Sequence, residues 1–320
     1  MRTILAAAAL VAGLISPSFA QTWPTQPIRL IVNFPPGGAA DQLARLVVQP
    51  LGETLGQPVV VENKGGAGGN LGGELVARAA PDGHTLLMSS GGMVAINPHL
   101  YAKMSFDPTK DIVPVASVAR VPFYLVIRAD NPAQDFKAFI ADLKANPGKR
   151  NFGSPGIGSS PHLAAEMLKN MTKTDATHVP YRGAAPALND LLAGQIDFLF
   201  DPGIAIEHVK AGKLRILAVG SPERSPQLPD VPTLDELGLT GFDADAVFGV
   251  YAPAGTPSAI INRLNSEINK SLATTQLKDR IAAIGNVPSV MSSDEFRQKA
   301  QKDSERFGAI IRERNITAGN

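Results

Sequence analysis

The sequence predicts an α/β protein folded as two lobes, each a largely parallel sheet covered by helices, with one cleft between them. Three observations carry this. Short β-rich runs alternate with amphipathic helical patterns along most of the chain, the arrangement that builds parallel sheets. Two segments, residues 28–41 (IRLIVNFPPGGAAD) and 152–166 (FGSPGIGSSPHLAAE), pass from a strand through a glycine-containing loop into a helix. The chain has 320 residues, 44% apolar and 18% charged, enough to bury the cores of two domains.

At the N-terminus, Met1-Arg2, the run TILAAAALVAGLI and Ser18-Phe19-Ala20 have the three regions of a secretory signal peptide, residues 1–20, with cleavage expected after Ala20. The apolar run is short for a membrane span. With no cysteine there is no lipid anchor, disulfide or thiol chemistry, so a free periplasmic protein is expected. Cleavage removes only Arg2 from 30 Lys+Arg against 29 Asp+Glu. The resulting neutrality argues against a nucleic-acid partner, and no second long apolar run suggests an integral membrane protein.

Strands are expected at 28–34, 58–64, 84–90, 123–129, 177–182, 197–201 and 214–220, with a short one before the second glycine loop. The first helix, about 40–55, places Leu43, Leu46, Val47, Leu51 and Leu55 on one face around Pro50. A later helix from Pro161 places Leu163, Met167, Leu168 and Met171 toward the core. In the C-terminal part, Thr256-Pro257 reads as an N-cap with proline at the first helical position, and Ser292 with Glu295 as a capping box. Helix-only sequence after an alternating body suggests a tail packed back on an earlier domain. Crossovers near 120–125 and 242–250 assign 21–123 and 247–320 to the first lobe and 124–246 to the second.

Each glycine loop leads into a helix N-terminus, where unpaired N–H groups and the helix dipole favour an anion. Two such ends facing one cleft suit one ligand gripped from both sides. FPPGGAAD offers backbone donors without Lys or Arg and puts Asp41 in the first turn, which fits a singly charged, two-oxygen carboxylate better than a phosphate. Asp41 is either a ligand contact or an acid favoured by the dipole. Gly38 and Gly158 are read as positions where bulk would obstruct the ligand and restrict the loop.

Other chemistries lack their motifs. GGAGGNLGG (65–73) fits no G-x-G-x-x-G register, and neither G-x-x-x-x-G-K-[ST] nor G-x-S-x-G occurs. The five histidines, at 84, 99, 162, 178 and 208, have no metal-binding spacing. No cofactor or metal is expected. Ser159, His162 and Asp201 can be written as nucleophile, base and orienter; the plainer reading makes Ser159 and Ser160 helix-cap residues, with His162 in the first turn facing the cleft.

The order of several stretches, WPTQPIRLIV (23–32), FPPGGAAD (34–41), VENKGGAGGN (61–70), APDGHTLLM (80–88), FGSPGIGSSPHLAAE (152–166), HVPYRGAAPALNDLLAGQIDFLFD (178–201), AGKLRILAVG (211–220) and APAGTP (252–257), resembles the Bug family of tripartite tricarboxylate transporter substrate-binding proteins, also called TctC. The resemblance implies a type II periplasmic binding protein fold, two Rossmann-like lobes around a hinged cleft. It implies a first-lobe grip from Pro36, Gly37, Gly38 and Asp41 and a second-lobe grip from Ser154, Gly156, Gly158, Ser159, Ser160 and His162. Tyr181, Arg182, Gly183 and Asp201 would line the cleft, with Phe34 and Ser90 at the ends of the first and third strands. The implied function is delivery of a carboxylated solute, a di- or tricarboxylate, an amino acid or an aromatic acid, by a monomer to membrane permease subunits. One departure is that many relatives carry Trp shortly before APAGTP, where this chain reads Asp245-Ala246-Val247-Phe248-Gly249. The competing function is a secreted hydrolase or lyase on the same scaffold, using Ser159 and His162.

Overall fold

A computed structural model describes residues 23–314 and residue 316; the signal-peptide reading falls outside them. Eleven strands are described: β1 (Ile28–Val32), β2 (Val59–Asn63), β3 (Thr85–Ser89), β4 (Ile112–Val121), β5 (Tyr124–Arg128), β6 (Asn151–Ser154), β7 (Thr177–Pro180), β8 (Phe198–Asp201), β9 (Leu214–Val219), β10 (Ala246–Pro253) and β11 (Val287–Pro288). They form two sheets, in the orders β11-β4-β10-β3-β1-β2 and β7-β6-β8-β5-β9. In each sheet three strands are parallel, β2-β1-β3 in the first and β7-β6-β8 in the second, and the strand that enters from the other sheet runs antiparallel to them.

Two connections join the sheets, and they run side by side. The first is Pro122-Phe123, between β4 and β5; the second leads from β9 through residues 220–245 to β10. Gly220 N–H donates to Phe123 O at 2.7 Å, and Ala244 N–H donates to Gly220 O at 2.9 Å. The main hydrophobic core runs continuously past this junction, through Val121, Phe123, Phe242, Ala244, Ala246 and Phe248.

The strands β4 and β10 were not among those expected from sequence. They are the longest of the described strands and pair with each other inside the first sheet, where every residue of β10 is buried. A strand covered on both faces has no polar–apolar alternation to reveal it.

The principal helices are α1 (Ala39–Leu55), α2 (Asn70–Ala77), α3 (Phe136–Ala145), α4 (Ser160–Thr172), α5 (Ala184–Leu192), α6 (Ser258–Ala273), α7 (Thr275–Ala283) and α8 (Ser293–Arg314). Helix α1 buries Leu43, Leu46, Val47 and Leu51, carries Pro50 within it, and ends on Gly56 in the left-handed conformation. In α4, Leu163, Met167 and Leu168 are buried but Met171 is exposed, and Thr172 beside it is buried instead. Helix α6 starts one residue later than expected, at Ser258: Pro257 is the cap, and Thr256 Oγ1 donates to Pro253 O instead. The Ser292–Glu295 box forms, with Ser292 N–H donating to Glu295 Oε2 at 2.8 Å and Glu295 N–H to Ser292 Oγ at 3.2 Å. Helix α8 then packs on β4 and also reaches α4, touching both lobes.

Candidate functional site

The loop after β1 holds its shape through groups distant in sequence. Gly37 sits at φ +85°, a conformation glycine adopts without strain, whereas Gly38 is extended (φ −79°, ψ 168°) and open to the side. Asp41 Oδ2 accepts from Gly37 N–H and from Arg45 Nε, each at 3.0 Å. Asn63 Nδ2 donates to Asp41 Oδ1 and to Phe34 O, also at 3.0 Å. Burial raises the cost of ionising Asp41, but Arg45, the Gly37 N–H and Asn63 outweigh it and hold the carboxyl below its ordinary pKa. Asp41 is therefore an anionic brace behind the loop, and the α1 N-terminus is left to Gly38, Ala39 and Ala40.

The loop after β6 is braced in a different way. Ser159 Oγ donates to Gly156 O at 2.7 Å and accepts from His162 N–H at 3.4 Å, capping α4. Ser154 Oγ bonds Gly156 and lies 2.6 Å from His178 Nε2, while Gly158 N–H donates to His162 Nδ1 at 3.2 Å. Both imidazoles are stacked beneath the loop. Desolvation, then for His162 the neighbouring His178, and for both the nearby Lys169, lower their pKa values to about 3 for His162 and about 4 for His178.

A third helix N-terminus arrives from the same lobe. Gly183 caps α5, and Ala184, Ala185 and Pro186 form its first turn. Gly183 packs on Pro35 of the first loop: a Cβ added there would stand 3.1 Å from Pro35 Cγ. Gly37 similarly faces Ala185.

These pieces enclose one inter-lobe cavity, with about 500 Å³ of space counting its opening to solvent. Phe34, Pro35, Pro36, Gly38–Ala40 and Ser90 line it from the first lobe. Pro155, Ser159–Pro161, Gly183–Pro186 and Pro202 line it from the second, and Phe123 and Phe248 from beside the crossovers. Its polar groups are the first-turn N–H donors of three helices and three serine hydroxyls; no charged side chain lines it. Ser160 Oγ is buried and has no hydrogen-bond partner within the protein. An outer groove continues from Phe34, Pro35, Pro36 and Pro155 to Gly65–Gly69, Tyr101, Gly156, Ile157, Tyr181 and Arg182. Arg182 is exposed there, and Tyr181 OH donates to Asp190 Oδ2 at 2.7 Å.

Among the residues expected from sequence, Phe34, Pro36, Gly38, Ser90, Ser159, Ser160 and Gly183 line the inner cavity, and Gly156, Tyr181 and Arg182 the outer groove. Gly37, Asp41, Ser154, Gly158, His162 and Asp201 line neither, and act as supports. The ring of His162, expected to face the cleft, is turned into the stack with His178. Asp201 Oδ2 accepts from Gly203 N–H at 2.6 Å and Ala205 N–H at 2.9 Å; burial raises its pKa to about 7 against those two bonds. Ser159, the His162 ring and Asp201 are thus engaged elsewhere, and no hydrogen bond links them as a relay. Sequence reasoning missed Ala39, Ala40, Phe123, Phe248 and the α5 N-terminus. The pattern Gly183-Ala184-Ala185-Pro186 after a strand was the available signal for the last, and nearness to the two crossovers for the phenylalanines. Among the described residues no cluster could hold a metal ion, and no helix is long and apolar enough to cross a membrane.

Comparison with known proteins gives a consistent result. The family model for the tripartite tricarboxylate transporter family receptor (TctC) matches residues 43–316. Protein BugT of Bordetella pertussis is 39% identical over 305 residues, 94% of this chain and 93% of that protein. The structure of R. palustris Rpa4515 with adipate superposes with a TM-score of 0.89 at 33% identity, covering 92% of this chain and 99% of that one. MatC (Rpa3494) from Rhodopseudomonas palustris with bound malate gives 0.85 at 33% identity, covering 90% and 100%.

Proposed function

Because the chain belongs to the tripartite tricarboxylate transporter receptor family, whose members are periplasmic substrate-binding receptors and not enzymes, we propose that it captures a small carboxylate in the inner cavity and delivers it to membrane permease subunits of a tripartite transporter. The convergence of three helix N-termini on a cavity without a charged side chain carries this reading. Each N-terminus contributes N–H donors and a partial positive charge, and Ser90 and Ser160 add hydroxyls, while that of Ser159 is held by Gly156 O. A carboxylate satisfies these donors with two oxygens and brings only one charge into an apolar enclosure.

The walls narrow the choice further. Phe34, Phe123, Phe248 and the prolines surround the donors with apolar surface, which suits an aliphatic or aromatic ligand body. Phe248 is smaller than an indole, leaving room for that body. Arg182, at the outer groove, would meet only a distal polar group. The adipate and malate carried by two relatives support the carboxylate and leave the body to this chain's own walls. The two lobes comprise residues 21–123 with 247–320, and 124–246; the chain is a monomer exported by cleavage after Ala20.

Calorimetry of the mature protein against adipate, malate and benzoate and their neutral methyl esters tests the reading. At least one acid should bind, and its ester should bind roughly 100-fold more weakly, about 2.8 kcal/mol. Equal binding of acid and ester, or no binding across a wider carboxylate panel, would overturn it.

A further inference from the structure

Beside the outer groove, whose lining includes Gly68 and Ile157, the lobes meet at a contact centred on Leu100, at the end of a short helical turn (Asn97–Leu100) in the first lobe. Gly158, in the second-lobe loop, has φ +80°, and a Cβ there would collide with Leu100 Cδ2 and stand 3.3 Å from Asn97 Oδ1. The carbonyl of Ile157 approaches Gly68 as closely, 3.3 Å from where that glycine's Cβ would be. Leu100 also belongs to a buried apolar cluster with Ile96, Leu163 of α4, and Phe307 and Ile311 of α8, with Ile157 packed at its edge. Leu163 and Ile157 come from the second lobe and the others from the first. Leu100 lines neither the cavity nor the groove.

Opening the cleft would separate these two groups and return their apolar surface to water, an unfavourable change that needs no ligand. Apparent affinity equals intrinsic affinity reduced by the fraction of molecules in the binding-competent state, so a residue that holds the lobes together sets affinity from a distance. We propose that Leu100 is a positioning residue for ligand capture: by seating Gly158 and burying against Leu163 it holds the lobes closed, so that Ser159 and Ser160 face the first loop before a ligand arrives. The role goes beyond carboxylate capture and does not depend on which ligand is bound.

The chain has no cysteine, so spin labels can be placed by substitution at two exposed residues, Leu71 of α2 and Met171 of α4. Double electron–electron resonance on the ligand-free protein then reads the open and closed populations. Leu100→Ala should lower the closed-to-open ratio at least about fivefold, Ile157→Ala should shift it in the same direction from the opposite lobe, and Leu100→Met should restore it. Leu264→Ala, which truncates a fully buried side chain within the first lobe, should lower the melting temperature and leave the distances unchanged. If Leu100→Ala fails to fold, Ile157→Ala alone decides. Unchanged distances in the alanine variants of Leu100 and Ile157, or an equal shift in Leu264→Ala, would overturn the assignment.

Discussion

The imidazole rings of His162 and His178 stack with their centroids 4.1 Å apart, and Phe152 stacks on His178 at 4.8 Å. Each imidazole supports the second-lobe loop, His162 through Gly158 N–H and His178 through Ser154 Oγ. Both imidazoles are neutral in the fold, so acid draws on the stability of the fold through them.

The pH dependence follows from the direction of the shifts. Folded pKa values of about 3 and about 4 lie below the ordinary 6.5, so the unfolded chain takes up protons first as pH falls. The contribution to stability is intact above pH 6.5, declines from there, and is exhausted near pH 4 for His178 and pH 3 for His162. Asp201 acts in the opposite sense: its raised pKa favours the fold at low pH, and that support is lost as pH rises toward 7. His162→Asn keeps an acceptor for Gly158 N–H and removes one titration. Relative to wild type, it should remove about 3 kcal/mol of the stability change between pH 6.5 and 4. Melting curves of both proteins across that range check this, and parallel curves would exclude the histidine account.

Gly37 and Gly38, adjacent in sequence, should respond oppositely. Gly37→Ala forces a Cβ into the left-handed region and should cost about 1 kcal/mol of stability. Gly38 is extended and its Cβ position is open, with the nearest atom 3.8 Å away, so Gly38→Val should fold at close to the wild-type melting temperature. It lines the cavity, however, and should weaken carboxylate binding at least tenfold, about 1.4 kcal/mol. Denaturant titration paired with calorimetry separates the two effects.

Ser160→Ala should trade affinity for stability. The buried hydroxyl lacks a partner in the protein, so its removal should leave the ligand-free fold unchanged or stabilise it by about 1 kcal/mol. The loss of an unpartnered hydroxyl from a cavity-lining residue should lower carboxylate affinity about tenfold. Arg182→Gln should change affinity by less than about threefold for a monocarboxylate, since its side chain stands at the outer groove. A collapse of binding in Arg182→Gln with little effect in Ser160→Ala would reverse the donor assignment.

Phe248→Trp should change the size of ligand accepted. The added ring volume projects into a closely packed cavity wall, so affinity for benzoate should fall several-fold more than affinity for malate. Competition calorimetry with the two acids reads the ratio directly, and an unchanged ratio would remove Phe248 from the specificity wall.

Much of the site was legible because its signals are local. A strand running into glycine and then a helix announces an anion loop within a dozen residues, and Ser159 and Ser292 cap the helices that follow them. What was not legible depends on partners remote in sequence. Asp41 could be read as a ligand contact or a dipole-favoured acid until Asn63, on another strand, fixed it as a brace. His162 left the cleft because His178 offered a stacking surface. The strands β4 and β10 were hidden by their own burial, and with them went the position of Phe248.

The place of β10 between β3 and β4 also governs the order in which the molecule can be built. The first sheet cannot close its centre until residue 253 has been made, while the second sheet is formed by one uninterrupted stretch whose ends meet at Phe123, Gly220 and Ala244. A chain synthesised from its N-terminus therefore completes the inner, inserted half first and leaves its opening segment without a finished core until most of the polypeptide has emerged.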